Sequence, residues 1–222
     1  MHHHHHHDTA SERIGWAFFL NLCFTVIEFI GGVLTNSTAI LADAVHDLGD
    51  SISIGMAWLL DKFSRKDATN TFTYGYRRLS LVGAFINAVI LTAGSIWILF
   101  EAIPRLWNPV MPMAEGMALL AVFGVIVNGY AAFKLSKGQS LNERVLNWHL
   151  LEDVLGWVAV LVVSIVLLFV DWPILDPLLS IAFTLFILVN VIRHLGSTIK
   201  LFVQASPDPE IYQQIHKKLV AL

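Results

Sequence analysis

Two short segments of this sequence place a histidine one helical turn before an aspartate. The first is His46 to Asp50, in Ala44-Val45-His46-Asp47-Leu48-Gly49-Asp50; the second is His149 to Asp153, in His149-Leu150-Leu151-Glu152-Asp153. Residues four apart on a helix lie on one face, one turn above the other. Each pair can therefore aim at one point, and two such helices facing each other would converge two imidazoles and two carboxylates. Four nitrogen and oxygen donors suit a tetrahedral divalent ion, with zinc the natural fit. A single pair could equally be an interhelical hydrogen bond. The repetition on two separate apolar segments points instead to a shared ligand locus made by His46, Asp50, His149 and Asp153.

The elements that carry these pairs are hydrophobic. The chain has 222 residues, of which 56% are apolar and 14% charged, against roughly 45–50% and about 25% in an ordinary soluble domain. The excess is concentrated in runs such as 81–100, 154–170 and 178–192, and a run of ~18–20 apolar residues is what a helix needs to cross a bilayer. A soluble enzyme and a disordered chain are excluded. A nucleic-acid binder is excluded as well, because the net charge is −3 and no basic tract is present. The sequence reads as an all-α, multi-pass integral membrane protein whose surroundings are a lipid bilayer. An aspartate near the bilayer centre costs about 2.5–3.5 kcal/mol on insertion scales, so two of them beside two histidines call for a function.

Residues 1–12 read as an expression tag and N-terminal tail, and the tag at Met1–His7 is set aside from fold reasoning. Of the 10 histidines this leaves His46, His149, His194 and His216. The single cysteine, Cys23, cannot form an internal disulfide. No cleavable signal peptide is evident. Apolar runs and breakers give six transmembrane helices, near 14–34, 40–60, 79–102, 113–135, 146–170 and 175–203. Thr35–Thr38 turns the chain between the first two. Pro104, Pro109 and Pro112 break it between the third and fourth, and Asp171-Trp172-Pro173 between the fifth and sixth. Ser140 with Glu143 forms a capping box, so the fifth helix is expected to start near Leu141, outside the hydrocarbon. Of the 14 lysines and arginines, only Arg105 falls on the side opposite the termini and the 2–3 and 4–5 loops. By the positive-inside rule both termini are then cytoplasmic.

Other polar residues in the spans carry weaker signals. Asp43, near the outer end of span two, could snorkel or line an exit; Asp47 could support the first pair or face water. Asn21, Asn87 and Asn128 read as interhelical glue. Glu28 is more suggestive, since a buried carboxyl in a transporter can hold a proton. Glu152 is expected to point away from the second pair, Gly31-Gly32 to mark close helix packing, and His194 and His216 to be ordinary surface histidines.

The sequence resembles the cation diffusion facilitator family of six-span metal-ion/proton antiporters. The resemblance rests on Glu28-Phe29-Ile30-Gly31-Gly32 with Asn36-Ser37, on Leu41-Ala42-Asp43-Ala44-Val45-His46 through Asp50, and on Tyr74-Gly75-Tyr76 with Arg78. It continues through the His149–Asp153 pair and Asp176-Pro177-Leu178-Leu179-Ser180. The resemblance implies that His46, Asp50, His149 and Asp153 are the transport site. It further implies zinc as transported substrate, with Cd2+, Co2+, Fe2+ or Mn2+ as other candidates, and efflux from the cytoplasm in exchange for protons. No catalytic cofactor and no enzymatic activity are implied. A bacterial inner membrane is the expected location, because the histidine-rich 4–5 loop of many eukaryotic members is absent.

Some departures accompany the resemblance. Asp67 stands where some members bind a second metal on the 2–3 loop, but Asn70, Thr71 and Tyr74 occupy the region that would need histidines. Ser80 replaces a frequent glutamate. Residues 13–205 match the transmembrane unit, and 206–222 resemble only the start of the cytosolic domain through which members form homodimers. The rival reading is an intramembrane zinc hydrolase with Asp43, Asp47 or Glu152 as general base. It needs an open coordination position, which four protein ligands would close.

Overall fold

The computed structural model describes residues 5–64, 79–135, 141–203 and 209–220. These form helices α1 (His5–Thr35), α2 (Thr38–Ser64), α3 (Leu79–Ala102), α4 (Ala114–Leu135), α5 (Leu141–Phe169), α6 (Leu175–Phe202) and α7 (Pro209–Val220), with one 3-10 turn at Pro104–Leu106. No strand occurs among the described residues. Helix α1 begins at His5, inside the histidine tract, rather than near residue 14. Helix α5 starts at Leu141 as the sequence suggests, whereas the capping residue Ser140 lies outside the described residues.

Five helices are long and apolar enough to cross a membrane, through Phe18–Thr35, Leu81–Leu106, Ala114–Phe133, His149–Phe169 and Leu175–Phe202. The protein is an integral, multi-pass membrane protein. Helix α2 is equally long but carries Asp43, Asp47 and Asp50 along its length. Its apolar character is diluted by the residues that could do chemistry. Large apolar side chains such as Leu20, Leu119, Leu155, Phe186 and Ile192 point outward, the arrangement expected where the solvent is lipid.

The turn between α1 and α2 is fully specified. Asn36 adopts φ 55, the left-handed conformation that ends many helices. The amide of Ser37 bonds Gly32 O at 3.0 Å and that of Asn36 bonds Val33 O at 3.2 Å, the paired pattern of a Schellman motif. At the start of α2 every exposed-end donor finds an acceptor. Asp176 of α6 accepts from Thr38 N at 2.7 Å, Thr38 Oγ1 at 2.8 Å, Ala39 N at 3.2 Å and Ser37 Oγ at 2.5 Å. Ser37 Oγ in turn accepts from Ile40 N at 3.2 Å. A carboxylate at a helix N-terminus meets both the free amides and the positive end of the dipole. Arg105 closes the same turn from the other side, donating to Asn36 O at 2.9 Å and Asn36 Oδ1 at 3.0 Å.

Two apolar cores flank α2. One joins Phe24, Ile40, Met117, Ala121, Trp157 and Val160 from α1, α2, α4 and α5. The other joins Leu41, Val45, Ala88, Leu91, Ile98, Ile187 and Val191 from α2, α3 and α6. Glycine allows the closest approaches. A Cβ at Gly124 of α4 would collide with the Trp157 ring of α5, and one at Gly31 or Gly32 would crowd Leu120 or Leu41, so the Gly31-Gly32 pair marks close packing as expected. Helices α2 and α5 touch each other over only a short stretch, each being held mainly by other partners.

Asp176→Ala removes a buried acceptor and strands the Thr38 and Ala39 amides. The expected loss is on the order of 3 kcal/mol, given about 1.5–3 kcal/mol for a hydrogen bond to a charged group. A clear fall in the thermal midpoint of the detergent-solubilised protein, with a smaller fall for Asp176→Asn, would bear this out; an unchanged midpoint for Asp176→Ala would contradict it.

Candidate metal site

Helices α2 and α5 meet where their His/Asp pairs face one another. His149 Nε2 approaches Asp50 Oδ2 to 3.0 Å, and His46 Nε2 lies 3.7 Å from the same oxygen. One donor atom from each of His46, Asp50 and His149 falls within 4.8 Å of the others. The two imidazoles sit with centroids 5.9 Å apart and their planes at 71°. Asp153 stands beside this group, its Oδ2 3.9 Å from His149 Nε2, and is not one of the three convergent donors. The structure therefore gathers three of the four expected residues around Asp50 and places the fourth next to His149.

The neighbouring helices set this geometry. Helix α2 is fixed by α1, α3 and α6, and Gly49 lets Leu91 of α3 close against it. Helix α5 is fixed by α4 through Trp157. The donors are partly buried, and His46 Nδ1 has no hydrogen-bond partner. Neutral imidazole nitrogens and carboxylate oxygens arranged in this way can replace part of the hydration shell of a divalent cation.

Cavities open on two sides of the cluster. The larger, of about 590 Å3, is lined by His46, Asp50 and His149 together with Asn87, Glu152, Asn190 and His194. The smaller, of about 280 Å3, is lined by Asp43, His46, Glu152, Asp153, Gly156 and Phe183. Glu152 thus faces the same space as the ligand cluster, contrary to the expectation that it points elsewhere. His194 is exposed, as expected, but the space it faces is this cavity. Asp43 is buried and borders the smaller cavity, so it does not snorkel. Periodicity alone gave no signal for these placements, because they depend on how α5 and α6 are rotated.

The intramembrane amides behave unequally. Asn21 joins α1 to α2 by donating to Ser51 Oγ at 3.0 Å, and Asn87 joins α3 to α2 by donating to Ser53 Oγ at 2.9 Å. Asn128 instead donates to Gly124 O of its own helix at 3.2 Å, so its recorded bond is not interhelical. Asp47 is buried against α1. The 2–3 loop positions Asp67, Asn70, Thr71 and Tyr74 lie outside the described residues, and so does the side chain of His216.

The protein is an all-helical, multi-pass membrane protein with a His/Asp cluster between two of its helices. Residues 16–203 match the cation efflux transmembrane domain, and the chain belongs to that family, the cation diffusion facilitators. It is 34% identical over 215 residues to the zinc transporter ZitB of Yersinia pseudotuberculosis, covering 96% of this chain and 69% of that protein. It is 33% identical over 196 residues to a cadmium, cobalt and zinc/H(+)-K(+) antiporter of Bacillus subtilis, covering 86% of this chain and 63% of that protein. It is 31% identical over 207 residues to the metal cation efflux system protein CzcD of Cupriavidus metallidurans, covering 92% and 66%. The chain thus spans about two thirds of the length of these curated relatives.

The convergence of His46 and His149 can be read without any metal cargo. In a Cys23→Ser background, cysteines placed at positions 46 and 149 should be bridged by a mercuric ion, linking the fragments that proteolysis between α4 and α5 would otherwise separate. Cysteines at 46 and 158, with the latter on the outward face of α5, should stay unlinked. Equal linkage of both pairs would contradict the geometry.

Proposed function

We propose that this protein is a divalent metal cation transporter that moves zinc out of the cytoplasm in exchange for protons. The observation that carries the reading is the convergence of His46, Asp50 and His149 between two helices of a cation efflux transmembrane domain. Asp153 completes a tetrahedral His2Asp2 shell by a small adjustment from its position beside His149. Cd2+ and Co2+ are candidate further substrates, since the Bacillus subtilis relative bears their names; Fe2+ and Mn2+ fit the same donor set less well. The names of the relatives favour transport over intramembrane hydrolysis.

The reading includes six spans, with α2 the sixth, and both termini in the cytoplasm of a bacterial inner membrane. Residues 13–205 then form the transmembrane unit, and 206–222 open a cytosolic region through which the full-length protein forms a homodimer. Alternating access would come from movement of α1, α2, α4 and α5 against the α3–α6 pair.

Proton exchange follows from the ligands. Metal binding needs neutral imidazoles and ionised carboxylates, so each proton on a ligand competes with the ion. Affinity is expected to rise with pH and to fall as acid protonates the histidines. An acidic compartment outside then displaces the metal, and the protons return inward with the emptied site.

In proteoliposomes with an imposed pH gradient, zinc flux should fall at least ten-fold in Asp50→Ala and in His149→Ala, while a lipid-facing substitution such as Leu119→Ala leaves it unchanged. Wild-type flux in Asp50→Ala would sink the site assignment. Zinc flux indifferent to the pH gradient would sink proton exchange and leave the metal site standing.

A further inference from the structure

Glu28 of α1 is only 1% exposed, and no N–H or O–H donor reaches either of its carboxyl oxygens. Among the described residues no lysine, arginine or histidine is paired with it either. The charged groups acting on Glu28 are all acidic: Asp47 and Asp43 from α2, and Asp153 from α5. The other neighbour of α1, helix α4, presents Leu120 at Gly31 and Phe123 at Phe24, neither of which can neutralise a charge. An unpaired ion in such surroundings is prohibitively costly.

Glu28 borders neither of the two cavities beside the metal ligands. It sits in the α1–α2 seam, which continues as a polar strip. There Asn21 donates to Asp47 O at 3.2 Å and to Ser51 Oγ at 3.0 Å, and the Thr25 and Ser51 hydroxyls lie 3.4 Å apart.

We propose that Glu28 carries a dissociable proton at a proton-binding site in the α1–α2 seam that is separate from the metal ligands. The proton leaves when a divalent cation reaches the His46–Asp50–His149 locus. Its departure converts the Glu28 carboxylic acid to a carboxylate and releases H+ to bulk water, and the new negative charge partly balances the arriving cation. Charges interact strongly away from water. Coupling of this kind is reciprocal, so reprotonation of Glu28 weakens metal binding in turn. The coupling rests on the metal site proposed above; the existence of the proton does not.

The test uses the full chain in lipid vesicles with 13C-labelled glutamate, followed by infrared spectroscopy at neutral pH. Exposed glutamates ionise near pH 4.3, so a labelled protonated-carboxyl band at neutral pH reports a buried one. The band is expected in the metal-free wild type, absent from Glu28→Gln and Glu28→Asp, and diminished on adding zinc. Absence of the band in wild type, or its persistence in Glu28→Gln, overturns the proposal. Should Glu28→Gln fail to fold, Glu28→Asp serves in its place, because it keeps the carboxyl and removes it from the labelled set. Proton release per zinc bound should be lower in Glu28→Gln by up to one proton per ion, and equal release overturns the coupling. A wild type that shows the band but binds no zinc by equilibrium dialysis refutes the metal site and supports the seam proton.

Discussion

The carboxylate of Asp176 at the head of α2 is the interaction on which the half of the protein around the α1–α2 turn depends. It satisfies the first free amides of α2, and with Ser37 it leaves none of them to the hydrocarbon, where an unsatisfied donor is costly. One side chain thereby ties the α1–α2 turn to α6, while Arg105 binds the same turn from the 3–4 connection. Helix α2 is less apolar than α3, α4, α5 and α6 and carries His46, Asp43, Asp47 and Asp50 into the bundle. It can do so because its end is held by hydrogen bonds and its two flanks are covered by separate apolar cores. The opposite half has no comparable clamp among the described residues, and the two cavities open beside the His/Asp cluster.

The distribution of polar groups within the spans follows one rule with one exception. Apart from the buried hydroxyl of Ser95, hydroxyls and amides such as those of Asn21, Asn87, Thr25 and Thr184 bond to neighbouring helices or to their own backbone. The acidic side chains Glu28, Asp43, Asp47, Asp50 and Asp153 gather instead around α2 and the adjoining face of α5. No lysine or arginine is paired with any of them among the described residues. A concentration of carboxyl groups with no lysine or arginine paired to them is suited to receive cations.

Much of this was legible in the sequence, for reasons that are local. Helix α3 occupies 79–102 as its apolar run requires, α5 begins at Leu141, and the His46–Asp50 and His149–Asp153 pairs each line one helix face. What could not be read depends on how helices are rotated and joined. The contact between Ser37 and Asp176 spans 139 positions, beyond the reach of any periodicity. The exclusion of Asp153 from the closest set of donors, the burial of Asp43 and the cavity-facing positions of Glu152 and His194 all reflect small rotations of α2, α5 and α6. Helix periodicity states which residues share a face; it does not state which neighbour that face meets.

The sparse packing between α2 and α5 gives the cluster a second meaning. These two helices are each fastened mainly to other partners, and His46, Asp50, His149 and Asp153 lie where they face each other. An ion held there would bond α2 to α5, and with them the α1–α2 pair to the α4–α5 pair, a rivet rather than a passenger. Loading would stiffen that four-helix group and unloading would loosen it.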